Sequence, residues 1–234
     1  MNMHGCVILW EMTDQFDFSH SATSDSVKPK MRGWSHAAGA LLAIPATWLL
    51  ASVAQSSEGV LGAIVYGVSM VALLGVSGTY HVPFWPEAIR AKLRLLDHSM
   101  IYVLLGGSYT PFCLMTGDWV SSVFLPIIWV LCLVGILRTL FVPNMRRWVK
   151  AGSYVLMGWI SLPLAFKWYE ALGSEVLAFL LLGGLIYTGG AVIYTRKTPN
   201  PVPGVFGYHE VFHLTVIAGC IFHYWAVWRS IAPV

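Results

Sequence analysis

His209 and His213 stand four residues apart in an otherwise apolar run. On a helix that spacing puts both imidazoles on one face, where they can aim at a single ion. Neutral imidazole is a good zinc ligand, and catalytic zinc usually takes three protein ligands and keeps a fourth position open. His81 is the natural third ligand. Ser77 precedes it by four residues, shares its helix face and can support the site by hydrogen bonding. Asp97 can take the proton of a water that the metal acidifies. Its neighbour His98 points about 100° away on a helix, so only one of the two can aim squarely at an ion; Asp97 is favoured.

Other readings compete. The His pair can face lipid headgroups, and Ser77 can be a helix-packing residue. His36 is balanced between lining the site and lying at the interface, and His223 reads as a packed or hydrogen-bonded histidine. The run His209-Glu210-Val211-Phe212-His213 also spells the H-E-x-x-H pattern. There Glu210 would be the general base of an intramembrane protease. Glu210 can equally be an interfacial residue beside a basic loop.

The elements that must gather these residues follow from composition. Of 234 residues, 57% are hydrophobic and 11% charged, against about 25% charged in an ordinary soluble domain. That argues against a soluble enzyme, a nucleic-acid binder or a disordered regulator, and makes lipid the solvent. The four scattered cysteines, Cys6, Cys113, Cys132 and Cys220, form neither a disulfide framework nor a Cys-type zinc site. Stretches free of Asp, Glu, Lys and Arg run 33–57, 59–86, 98–117, 119–137, 151–166, 176–195 and 211–228. A spanning helix needs about 20 mostly apolar residues. Seven spans are therefore expected, roughly 34–55, 60–81, 97–116, 119–141, 149–168, 175–195 and 209–229. The runs are continuously apolar rather than alternating, which selects helices over barrel strands. The expected architecture is an all-α integral membrane protein. A polar, disordered cytoplasmic tail (1–31) would precede a seven-helix domain (32–234), and Met31 is an alternative start. Gly183-Gly184 and Gly189-Gly190 suit close helix packing. Pro45, Pro111, Pro126 and Pro163 should kink or cap their spans.

Charge placement orients the bundle. Lys28, Lys30, Arg32, Arg90, Lys92, Arg94, Arg138, Arg146, Arg147, Lys150, Arg196 and Lys197 flank one side; only Lys167 and Arg229 lie on the other. The positive-inside rule puts the N-terminus in the cytoplasm and the C-terminus outside. His36, His81, Asp97, His98, His209 and His213 then converge on the cytoplasmic ends of spans one, two, three and seven. Ionisable groups are costly in a membrane and mark function by default.

Ser77-Gly78-Thr79-Tyr80-His81, Leu96-Asp97-His98-Ser99, Gly107-Ser108-Tyr109-Thr110-Pro111-Phe112 and Gly207-Tyr208-His209-Glu210-Val211-Phe212-His213 resemble the hemolysin III family, the bacterial branch of the progestin and adiponectin receptor superfamily. The resemblance covers about residues 32–229. It implies seven helices, a cytoplasmic N-terminus and a bacterial inner-membrane location. It also implies zinc on His81, His209 and His213, with Asp97 holding the metal's water and Ser77 as the motif serine. Related receptors and ceramidases imply hydrolysis of a lipid amide or ester, with membrane lipids, among them a ceramide-like substrate, as partners. A receptor-like or membrane-homeostasis protein with structural zinc is the alternative; a cytolytic pore is a weaker one.

Overall fold

The computed structural model describes residues 28–232. The expected tail falls mostly outside that range, as does Cys6. Its last residues are placed: the Lys30 and Met31 amides donate to the Gly204 and Val205 carbonyls (3.2 and 3.1 Å), and Lys28 Nζ donates to the Val82 carbonyl (2.8 Å).

Among the described residues eight α-helices follow one another: α1 (Trp34–Val53), α2 (Ser57–His81), α3 (Glu87–Thr116), α4 (Leu125–Phe141), α5 (Arg147–Trp159), α6 (Ala165–Leu172), α7 (Ser174–Arg196) and α8 (Tyr208–Ile231). Six helical segments are long and apolar enough to cross a membrane, one of them being α5 and α6 taken together (Arg147–Leu172). With no water in the hydrocarbon, a helix satisfies its own backbone, and its outward side chains must be apolar. Accordingly Leu41, Leu42 and Trp48 on α1 and Val130, Leu133 and Val134 on α4 are exposed.

The expected third span lies in α3, which does not belong to that apolar set. The reason is its position: α3 packs against α2, α4, α5, α6 and α8. Every residue from Gly106 to Cys113 is buried, including Ser108, Tyr109 and Thr110. A helix walled in by protein needs less apolar surface than one facing lipid. It also begins at Glu87, ten residues before the expected start, because its charged first turns stand clear of the bundle with Arg90, Lys92 and Arg94 exposed.

The prolines divide by position. Pro45 and Pro111 lie inside α1 and α3. Pro126 follows a π-helical turn (Val120–Phe124) at the start of α4, and Pro163 sits in the 3-10 turn (Leu162–Leu164) that breaks the expected fifth span. Among the glycines noted in the sequence, Gly183 seats the His223 ring, Gly184 meets Trp159 and Gly190 meets Thr215, while Gly189 is open. At the end of the bundle away from the histidines, both cations are paired: Lys167 with Asp118 (2.9 Å) and Arg229 with Glu175 (2.7 Å).

At two glycines α2 lies directly against the backbone of its neighbours. A Cβ on Gly62 would lie 2.7 Å from the Pro111 Cα, and one on Gly78 would lie 2.9 Å from the Ala37 Cα. Backbone cannot rotate away, so Gly62→Val should destabilise by about 1–3 kcal/mol through overpacking. Gly152→Ala, whose new methyl meets nothing within 4 Å, should hold stability or raise it by up to about 1 kcal/mol. Thermal unfolding in one detergent compares them; equal Tm values would contradict the packing account.

Candidate metal centre

Three helices deliver the donors. The last turn of α2 carries Ser77 and His81, α3 carries Asp97, and the first turns of α8 carry His209 and His213. α8 touches α1, α2 and α3, so residues more than a hundred positions apart meet at its first turns. One ligand atom from each of His81, His209 and His213 lies within 4.8 Å of the others. The Nε2 atoms of His81 and His209 are 3.2 Å apart. Ring centroids are separated by 4.7 Å (His81–His209), 5.0 Å (His81–His213) and 4.5 Å (His209–His213), with the planes strongly inclined.

This donor set fits a metal ion. Nitrogens held at about 2.05 Å from a tetrahedral zinc stand about 3.3 Å apart, and the closest pair here is 3.2 Å apart. His81 and His213 are both buried, and each imidazole has a ring nitrogen that can serve as a donor.

Asp97 Oδ2 is 3.9 Å from His81 Nε2, beyond direct hydrogen-bonding range. Ser77 and Asp97 line the same small cavity as His209 and His213. His36 is buried and lies flat on His213, with ring centroids 3.8 Å apart and planes inclined by 10°. Its Nε2 is 3.2 Å from the His213 carbonyl oxygen, so a protonated Nε2 donates there. That resolves the balanced reading of His36 in favour of the site, where it supports a donor ring. His98 lines the cavity too but stays outside the triad, its buried Nδ1 without a partner.

Glu210 corrects the protease reading. It is buried, it pairs with Arg32, and its Oε2 accepts from the Gly207 amide (2.7 Å). Glu210 therefore caps the start of α8 and anchors the segment before α1. Arg32 and the Gly207 amide engage one carboxyl oxygen each, which gives Glu210 a structural role in place of the general-base role of H-E-x-x-H.

Sequence reasoning used Arg32 and Lys150 only as orienting charges. The structure puts Lys150 and Tyr194 in the wall of the site cavity and Arg32 in the brace. Their place at the same membrane level as the histidines was the available signal, but a partner for Glu210 lying 178 residues away has no local pattern.

Removing one partner of a buried pair strands the other charge. Glu210→Ala and Arg32→Ala should each lower stability by about 3 kcal/mol, read as a drop in Tm of the purified protein. Unchanged Tm in both would refute the brace.

Comparison with known proteins identifies the family. Residues 25–224 match the family described as "Haemolysin-III related". "Hemolysin-3" of Bacillus cereus is 34% identical over 206 residues, covering 85% of this chain and 90% of the relative. "Hemolysin-3 homolog" of Bacillus subtilis is 31% identical over 191 residues, covering 79% and 85% respectively. The human "Monocyte to macrophage differentiation factor" is 25% identical over 201 residues, covering 84% and 81%. The matched segment takes in every residue of the histidine cluster and nearly the whole helical bundle, so the chain belongs to the haemolysin-III-related family, within the progestin and adiponectin receptor superfamily.

Proposed function

We propose that the protein is a seven-span membrane hydrolase that holds zinc on His81, His209 and His213 and cleaves an amide or ester of a lipid. The observation that carries this is one juxtaposition. Three imidazoles converge, and two of them, His209 and His213, line with Asp97 and Ser77 a small cavity that shares walls with a larger, almost wholly apolar one; Leu73, Ile101, Tyr154, Ala191, Phe212 and Val216 line both. An apolar cavity beside a few convergent polar groups is the usual form of a site for an amphiphile.

Bound zinc supplies Lewis acidity, which polarises a carbonyl and acidifies water. The chain does the rest. Asp97 accepts the proton, because it stands across from His81 without belonging to the close donor set. Ser77 orients that carboxylate or supports developing negative charge. His36 fixes the plane of the His213 ring, and the Arg32–Glu210 brace fixes the helix that carries both α8 donors. The apolar cavity takes the acyl chain and keeps bulk water from the scissile group.

A receptor-like or homeostatic role with structural zinc requires a closed coordination sphere. The three close donors favour an open fourth position instead. A pore draws no support from a bundle in which every residue from Gly106 to Cys113 is buried.

Metal content and hydrolysis test the reading together. The purified protein should hold about one zinc, and a His209→Ala/His213→Ala variant should hold almost none. Asp97→Asn should keep the metal and lower turnover of a ceramide-like amide or a fatty-acyl ester by about 100-fold or more. Zinc retained with turnover unchanged in Asp97→Asn would sink the hydrolase and leave the structural role. Zinc absent from the wild type would sink both.

The same proposal places the histidine end in the cytoplasm, because 12 of the 14 Lys and Arg residues flank that end. The two cations at the other end are already neutralised by Asp118 and Glu175. Single cysteines at Lys92 and at Glu170, placed in a chain whose native cysteines are replaced by serine or alanine, should react with an impermeant maleimide from opposite sides. In bacterial cells Glu170→Cys should label from outside and Lys92→Cys only after lysis; the reverse would invert the orientation.

A further inference from the structure

The small cavity has a cationic side that the hydrolytic reading does not use. Lys150 lines it together with Asp97, His98, His209 and His213, and Asp97 is the one carboxylate in that wall among the described residues. Lys150 is half-buried and donates one hydrogen bond, to the Pro143 carbonyl (2.8 Å). An ammonium has three donors, so two remain. Arg147, one turn earlier on α5, lies over the rings of Tyr194 and Tyr208 (4.9 and 5.8 Å) and donates to the Tyr194 carbonyl and the Tyr208 hydroxyl (3.2 Å each). The ion pairs among the described residues engage Arg32, His81, Lys167 and Arg229. Lys150, Arg147 and Arg94 have no carboxylate partner among them.

Helix register brings Arg94 to the same level. The Tyr154 hydroxyl reaches the His98 carbonyl (3.4 Å) and the Tyr102 hydroxyl meets that of Ser153 (2.9 Å). Further along, Tyr109 donates to the Met157 and Gly158 carbonyls (2.8 and 2.7 Å). The contacts advance along both helices together, so α3 and α5 lie side by side and run the same way. Arg94 and Lys150 each stand one turn before the His98–Tyr154 contact, and Arg94 and Arg147 both lie near enough to repel the Lys150 ammonium. Like charges held together without a counter-charge cost free energy that a bound anion offsets. The order of residues on α5 shows how a ligand would lie. Lys150 and Ala151 line the small cavity, Tyr154 lines both, and Val155, Gly158 and Trp159 line the apolar one. From Lys150 to Gly158 the helix rises about 12 Å. A lipid laid along α5 with its chain in the apolar cavity therefore brings its head to Lys150, with the linkage between head and chain in the small cavity.

The geometry points to a phosphate subsite: Lys150, flanked by Arg94 and Arg147, holds the phosphate of an anionic lipid whose chain fills the apolar cavity. This rests on the reading of the two cavities as one lipid site. A phosphate suits the cluster better than a neutral head does, because hydrogen bonds between ionised partners are about twice as strong as neutral ones. Arg also presents a fork that matches phosphate oxygens. Inorganic phosphate offers the same charge without the chain and binds the cluster more weakly.

Binding of two uncleavable probes tests it: a 1-O-alkylglycerol and its 3-phosphate, each with the same fluorophore at the chain end. Both are added at equal mole fraction to the zinc-loaded full-length protein in neutral maltoside micelles and read by energy transfer from tryptophan. The phosphate should bind about tenfold more tightly or better, and the preference should shrink as salt rises. Lys150→Gln/Arg94→Gln, which keeps hydrogen-bonding side chains, should abolish the preference. Lys92→Gln/Lys197→Gln, which removes the same charge from exposed positions, should retain it. No preference in the wild type, a preference that survives in Lys150→Gln/Arg94→Gln, or its loss in both double variants overturns the subsite. Inorganic phosphate, titrated against the bound phosphate probe, should displace it only in large excess; displacement at equal concentration makes the ligand free phosphate and overturns the lipid assignment. The His209→Ala/His213→Ala variant should keep the preference, and its loss there would put the phosphate on the metal instead. Zinc content and hydrolysis of the ester counterparts report separately on the proposed function, because the binding measurement needs neither.

Discussion

A polar atom without a partner is expensive in hydrocarbon, and most of this structure follows from that rule. It makes each apolar run a helix, because only a helix closes its own backbone. It sends leucine, valine and tryptophan outward on α1 and α4 and turns serines and threonines back onto carbonyls of the preceding turn. It also explains why the ionisable residues gather at one end. His36, His81, Asp97, His209, His213 and Glu210 are tolerable there because they face one another, a shared cavity or Arg32.

The helix that departs most from the apolar pattern is the one that organises the rest. α3 touches five other helices and buries tyrosine, serine and threonine along its middle. Its protein surroundings supply acceptors that lipid lacks, as Tyr109 shows by bonding two carbonyls at the end of α5. Because α3 is gripped on so many sides, Asp97 near its beginning is held at a fixed offset from His81 on α2. The gripping and the chemistry thus belong to the same helix, and so do the walls of both cavities.

Much of this was legible in the residues. Gaps between charges located the helices, and counting crossings put five histidines and Asp97 at one depth before any contact was known. Four-residue spacing paired His209 with His213, and their level brought in His81. What escaped was set by tertiary packing. The break at Pro163 depends on a local turn that hydropathy averages away. The early start of α3 comes from charged turns outside the bilayer, which charge gaps read as loop. Glu210 matched a catalytic pattern letter for letter, yet Arg32 and the Gly207 amide had already taken its oxygens. His223 was read as packed or hydrogen-bonded, and it is packed with its nitrogens unpaired.

The order of the donors along the chain has a consequence for biogenesis. His81 lies at the end of the second helix and the other two imidazoles at the start of the last. During synthesis His81 reaches its depth with six α-helices still to be made, and the three imidazoles cannot meet until α8 has entered beside it. The brace from Arg32 to Glu210 has the same dependence, joining the first inserted segment to the last. Gathering of the three imidazoles and closure of the bundle are therefore one late event. A chain halted before α8 has neither its histidine cluster nor its clasp, so the assembled cluster marks molecules that were finished.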